Sequence, residues 1–133
     1  MPSFKPRIAL ATIAALVAAM TPFAAAALPS TATGQISVGQ VIEMIDKADA
    51  SQTARQTLVA YIAGVGETAG AIADTAKGSR VISCRKAFSL DTASVRAALE
   101  TGAPRQGDWA QTPATPLIVA DMLKRAGCRA MKG

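Results

Sequence analysis

The chain has no histidine, two cysteines, one tryptophan, one tyrosine and three phenylalanines in 133 residues. Without histidine, neither Cys84 nor Cys128 has the usual partner of a catalytic thiol, and two soft ligands are too few for a zinc site. Acids are also scarce, nine in all, and no pair of them falls in a helical register suited to general acid–base work. Asp91 reads as a helix cap and Glu100 as a surface residue. Catalytic, cofactor-binding and metal-ligating residues are therefore expected to be none, and the protein is expected not to be an enzyme. Segments of strand-like alternation, internal repeats and downstream membrane-length apolar runs are missing too.

The one long apolar run stands at the start. Lys5 and Arg7 precede Ile8–Met20, Thr21-Pro22 interrupts the run, and Ala24 to Ala27 supply overlapping Ala-x-Ala sites. This is the layout of a cleavable signal peptide over residues 1–27, cut after Ala26 or Ala27. A lipoprotein is excluded because the first cysteine is Cys84. Export to the periplasm, or beyond it, is the expected localisation, with no membrane association after cleavage. Residues 28–36 read as a flexible lead-in and 37–133 as one domain of ordinary small size. The formal charge of +5 falls to about +3 without Lys5 and Arg7, and the basic residues interleave with acids, so no nucleic-acid footprint is present.

In an oxidising compartment, two cysteines predict a single intramolecular Cys84–Cys128 disulfide. Around it the periodicity is helical. Ser37 and Gln40 form a capping box before Val38, Val41, Ile42 and Ile45. A second helix over Ala54 to Ala76 turns Leu58, Tyr61, Ile62, Val65 and Ile72 inward. Its Gly64, Gly66 and Gly70 predict close helix packing or a kink, because glycine in a helix interior is costly. Asp91 caps a third helix carrying Val95, Ala98 and Leu99. The stretch from Gly102 to Thr115 is a loop. Thr115-Pro116 then opens a last apolar helix with Leu117, Ile118, Val119, Met122 and Leu123, closed by Gly127. The expected fold is all-α, a small bundle of about four helices stapled by one disulfide.

Two short motifs carry nothing. Gly64-Val65-Gly66-Glu67-Thr68-Ala69-Gly70 has the wrong spacing for a phosphate loop and lies within a helix. Ser83-Cys84-Arg85-Lys86 has the Ser-x-x-Lys pattern of penicillin-binding enzymes but none of its companion motifs.

The order of features, an apolar first helix, Tyr61-Ile62-Ala63-Gly64-Val65, Cys84 leading into a capped helix and a final apolar helix closing at Cys128, resembles the Rap/Tai type of periplasmic immunity protein. The resemblance spans nearly the whole chain after the signal peptide. It implies a small, exported, helical, disulfide-bonded protein that protects a bacterium by occluding the active site of peptidoglycan amidase effectors of type VI secretion. Relatives commonly carry a further cysteine pair, with one partner where Leu58, Val59 and Ala60 stand here. For such an inhibitor the candidate partner-binding residues are Trp109, Arg105 and Asp108 on the long loop. Trp109 has two readings, an interface anchor or a cover over the core, and Tyr61 reads as core with its hydroxyl bonded. Two other functions fit the same composition: a small periplasmic acid-stress chaperone and an assembly partner of another envelope protein. The oligomeric state stays open, a homodimer included.

Overall fold

The computed structural model describes residues 30–79 and 82–131. The expected signal peptide and its cleavage site lie outside the described residues. Among the described residues four α-helices carry the fold: α1 (Val38–Lys47), α2 (Gln52–Gly78), α3 (Thr92–Gly102) and α4 (Ala114–Arg125). α1 packs on α2 and α3, and α4 packs on α3 and α2. The expected all-α bundle is the architecture found, with one disulfide, Cys84–Cys128. None of the described helices is long and apolar enough to cross a membrane.

Where the sequence shows no strand, two residues on each side of the disulfide pair: β1 (Ile82–Ser83) runs antiparallel to β2 (Arg129–Ala130). Elements this short lack the alternation by which strands are recognised; their pairing is imposed by how α4 ends. Gly127, at φ +65°, takes the left-handed conformation that side chains disfavour. Its N–H bonds the Lys124 carbonyl, and the Cys128 N–H reaches back to the Leu123 carbonyl at 3.0 Å, which is a Schellman closure. The Ala126 carbonyl then accepts from the N–H groups of both Arg85 and Lys86, laying the Cys84 segment beside Cys128. Arg125 secures the rest of that connection by donating to Asp121 Oδ2 at 2.7 Å and to the Ser89 hydroxyl and carbonyl.

The core is built from Val38, Val41 and Ile42 of α1, Leu58 and Val65 of α2, Val95 and Leu99 of α3, and Ile118 of α4, with Ala103 and Ala114 beside them. Full burial of a side chain of this size contributes about 1.5–3 kcal/mol. The expected stripe of α3 is thus buried, as is that of α1 apart from Ile45, which is partly buried against the core. Arg96 joins these two helices on the surface by an ion pair to Asp46, and this bond raises its pKa further above the ordinary arginine value.

Two of the three predicted caps form. Ser37 and Gln40 bond reciprocally at 2.9 and 3.2 Å, and Asp91 does the same with Ser94. The Ser94 N–H, at 2.7 Å, holds the Asp91 carboxyl below its ordinary value. That contribution to stability is present above the ordinary carboxylate range and is lost as pH falls through the lowered value. Ser37 is wholly buried, so Ser37→Ala is expected to cost about 1–2 kcal/mol, read as a lower denaturation midpoint at an unchanged m-value.

Two further expectations differ from the structure, at the start of α4 and along α2. α4 starts at Ala114, one residue before the predicted cap, with Pro113 in the capping position and no side-chain cap. The Thr115 hydroxyl is instead engaged by the Tyr61 hydroxyl at 2.9 Å, and the Ala114 N–H is met by the Ile36 carbonyl. Residues 31–36, within the 28–36 lead-in, form a turn closed by hydrogen bonds from Thr31 N to Gln35 O and from Gly34 N to Thr31 O; Thr31 itself is buried. The second difference is in α2. Ile72, expected inward, is 65% exposed. The buried line of this helix runs Leu58, Val65, Ala69, Ala73, and Ile72 lies to one side of it. Nor do its glycines mark close packing: a side chain at Gly64 or Gly70 would meet nothing within 4 Å, and one at Gly66 only Leu90 at 3.9 Å.

Candidate functional site

The loop between α3 and α4 carries polar, exposed side chains, among them Arg105, Gln106 and Asp108. It holds all three candidate partner-binding residues. A single 3₁₀ turn, Gln106–Asp108, forms its tip, and the residues on either side are fixed by bonds to the rest of the fold.

Those bonds solve a problem posed by α1. The first N–H groups of a helix have no partner within it. Here the Val38 N–H donates to the Thr112 carbonyl at 2.9 Å, and the Gly39 N–H to the Trp109 carbonyl at 3.2 Å. The next, that of Gln40, goes to the Ser37 hydroxyl. Ser37 and Pro113 also form a β-bridge. The loop thus closes the N-terminus of α1 and is held by it. Further bonds from the Thr112 N–H and hydroxyl to the Asp108 carbonyl and from the Ala32 N–H to Gln111 Oε1 brace its descending arm.

Trp109 faces the bundle. It is partly buried against the core, and its indole N–H donates to the Ala103 carbonyl at 2.7 Å. Of its two readings, the cover over the core is the one this geometry favours, since the polar edge of the ring is already engaged. Arg105 and Asp108 point outward and form an ion pair at 2.8 Å, with side chains 85% and 52% exposed. Three sequence-selected residues therefore share one loop, with one turned in and two turned out. The exposed charged pair is screened by solvent and contributes little to stability, so it is free to serve recognition.

A second feature has no counterpart among the sequence-selected residues. Between α2, α4 and β1 lies an open groove of about 640 Å³, lined among others by Tyr61, Gly64, Thr68, Ile72, Val119 and Leu123, and among the described residues none on its walls is charged. Burial raises the Tyr61 pKa, against the lowering effect of its bond to Thr115, so the hydroxyl stays neutral. A signal for this groove exists in the sequence: the α2 face carrying Ala60, Gly64, Thr68, Ile72 and Ala76 is free of charge, while Arg55, Glu67, Asp74 and Lys77 lie off it. It is hard to read there because small residues on a helix ordinarily mean contact inside the same molecule.

Among the described residues no group of three His, Cys, Asp or Glu is gathered as metal ligands would be. What the loop can offer chemically is a fixed backbone and an exposed pair of opposite charges. Compared with known protein families, with characterised proteins and with solved structures, the chain matches none, so the reading of this site stands on its own geometry.

Proposed function

We propose that this protein is an exported, non-enzymatic binding protein of the periplasm that acts as an immunity protein, neutralising a peptidoglycan amidase effector by occupying its substrate cleft. The observation that carries this reading is the braced 103–113 loop with Arg105 and Asp108 at its exposed tip. A cleft inhibitor needs a protruding segment that loses little entropy on binding. A loop that closes the α1 N-terminus through its own carbonyls, and is pinned by Trp109 from beneath, meets that need without any chemistry of its own. The disulfide adds support, since it fits an oxidising compartment.

The loop tip, rather than the indole of Trp109, makes the contact. Reversing both charges, Arg105→Glu with Asp108→Arg, is expected to weaken binding to an amidase copurified from the envelope at least about tenfold, as loss of central interface contacts does. The melting temperature should stay within about a degree or two, because exposed pairs contribute little. Isothermal titration calorimetry and a thermal melt on the same samples check this. Unchanged affinity in the double variant removes the loop from the interface.

A further inference from the structure

We propose that the face around the Cys84–Cys128 disulfide is a docking surface for an anionic lipid bilayer, held by Arg85, Lys86, Lys124 and Arg129. Docking of this kind needs no membrane-length helix, and it is independent of the 103–113 loop and of the inhibitory role.

Basic and acidic residues interleave along the chain, but the fold sorts them. The disulfide, the pairing of Ser83 with Arg129, and the bonds from the Arg85 and Lys86 N–H groups to the Ala126 carbonyl bring these segments together. Arg85 and Lys86 thereby stand beside Arg129 and the last turn of α4, which carries Lys124 and Arg125. Two acids accompany these five cations: Asp121, paired with Arg125, and Asp91, close enough to Arg125 to feel its charge. The balance is three positive charges. That is the whole excess of the chain after residue 27, since elsewhere in that sequence seven cations meet seven acids.

Ion pairing singles out the same place. Lys47, Lys77, Arg96, Arg105 and Arg125 each have an acidic partner. Among the described residues Arg85, Lys86, Lys124 and Arg129 form no ion pair, and all four are exposed. Only Arg55, near the start of α2, shares that condition among the described cations. Positive charge at a helix C-terminus complements its dipole, but that end supplies only about half a unit of negative charge. Most of the excess is left facing solvent.

A lipid surface suits this patch better than an acidic protein does. Protein interfaces are anchored by aromatic side chains in desolvated pockets, and Phe88, the aromatic nearest the disulfide in sequence, is instead stacked with Lys77. The patch offers charge density and a small polar hollow of about 310 Å³ lined by Lys86, Ser89 and Arg125, fit for a phosphate headgroup. Arg85 rests its aliphatic stem on Gly127, where a side chain would come within 3.4 Å of it, so its position is set before any partner arrives. Met131, directly after β2 and 50% exposed, adds an apolar side chain of the kind that enters the boundary between headgroups and acyl chains. The patch and the 103–113 loop lie at opposite ends of α4, about 18 Å apart along its axis. A bilayer seated on the patch therefore leaves the loop open to a protein partner.

Cosedimentation of the disulfide-bonded protein, as exported, with vesicles of equal parts phosphatidylglycerol and phosphatidylcholine tests this. The wild type is expected to bind these vesicles, to be released by added salt, and to ignore vesicles of phosphatidylcholine alone. Each basic residue near an anionic surface strengthens partitioning about fivefold, so Lys86→Gln with Lys124→Gln should lower the partition coefficient at least about twentyfold. The melting temperature should not change, because both side chains are exposed and unpaired. Arg55→Glu removes the same amount of net charge at a distant site and should change binding less than about twofold, since exposed charges beyond a Debye length are screened. Absence of binding to the anionic vesicles, equal binding to the neutral ones, or an equal loss in Arg55→Glu overturns the proposal. So does retention on an immobilised acidic protein without vesicle binding, which means a protein partner, or release from the vesicles by dilute glycerol phosphate, which means a small soluble ligand.

Discussion

Replacing both cysteines, Cys84→Ser with Cys128→Ser, is expected to lower the stability by roughly 4 kcal/mol, the value the chain-entropy argument assigns to this loop. The two residues are 44 positions apart, and the loop they close contains all of α3, the 3₁₀ turn and all of α4. The loss is large against the roughly 5–15 kcal/mol of a normal domain. In a domain of this size it corresponds to a fall in melting temperature of about 15–30 °C. Urea denaturation of the oxidised wild type and of the double serine variant, each fitted for midpoint and slope, checks the figure. A difference below about 1 kcal/mol would mean that the Schellman closure at Gly127 and the bonds of Arg125 to Ser89 hold the two segments together without the covalent link. Single replacements answer a different question, because each leaves a free thiol able to pair between chains.

Trp109→Ala is expected to destabilise the protein by about 2–4 kcal/mol, close to the range for truncating a core aromatic. Three losses combine. The ring no longer covers the core, the Ala103 carbonyl loses its 2.7 Å donor, and the loop that supplies carbonyls to the Val38 and Gly39 N–H groups is loosened. Trp109→Phe separates the terms: it keeps most of the packing and removes the donor, and should cost about 1–2 kcal/mol. Thermal melts of the two variants beside the wild type check the ordering. The consequence for function is practical. Weakened effector binding by Trp109→Ala reports on loop integrity, so the contact itself has to be tested at Arg105 and Asp108, where the fold has little at stake. If Trp109→Ala melts with the wild type, the indole is not a structural element and the interface role of Trp109 returns.

The local features of this fold are legible in the residues because each is decided within one or two helical turns. Ser37 with Gln40, Asp91 before the third helix, and Gly127 before Cys128 all act through bonds to neighbours a few positions away, and the structure has each of them as expected. The stripes of α1 and α3 follow from periodicity alone. The disulfide follows from the count of cysteines once the chain is taken as exported. The start of α4 is a partial case. A threonine before a proline is a good cap in isolation, but the Thr115 hydroxyl meets Tyr61 from α2, 54 positions away, and Ile36 supplies the acceptor for the N–H of Ala114.

The candidate site divides in the same way. The sequence by itself determined that Trp109, Arg105 and Asp108 share a loop rich in turn residues, and that α2 carries a face without charge. Only the tertiary structure decided which of the three turns inward, because that depends on the Ala103 carbonyl and on the Val38 and Gly39 N–H groups of a helix distant in sequence, which bond to carbonyls of this loop. It also decided that Gly64 faces open space and that Ile72 stays exposed. Periodicity shows which residues lie on one side of a helix, but not whether another helix is there to cover them. α2 is the longest element in the fold, and α1 and α4 together cover only part of its surface, leaving an apolar face that the sequence, read one helix at a time, assigns to the core.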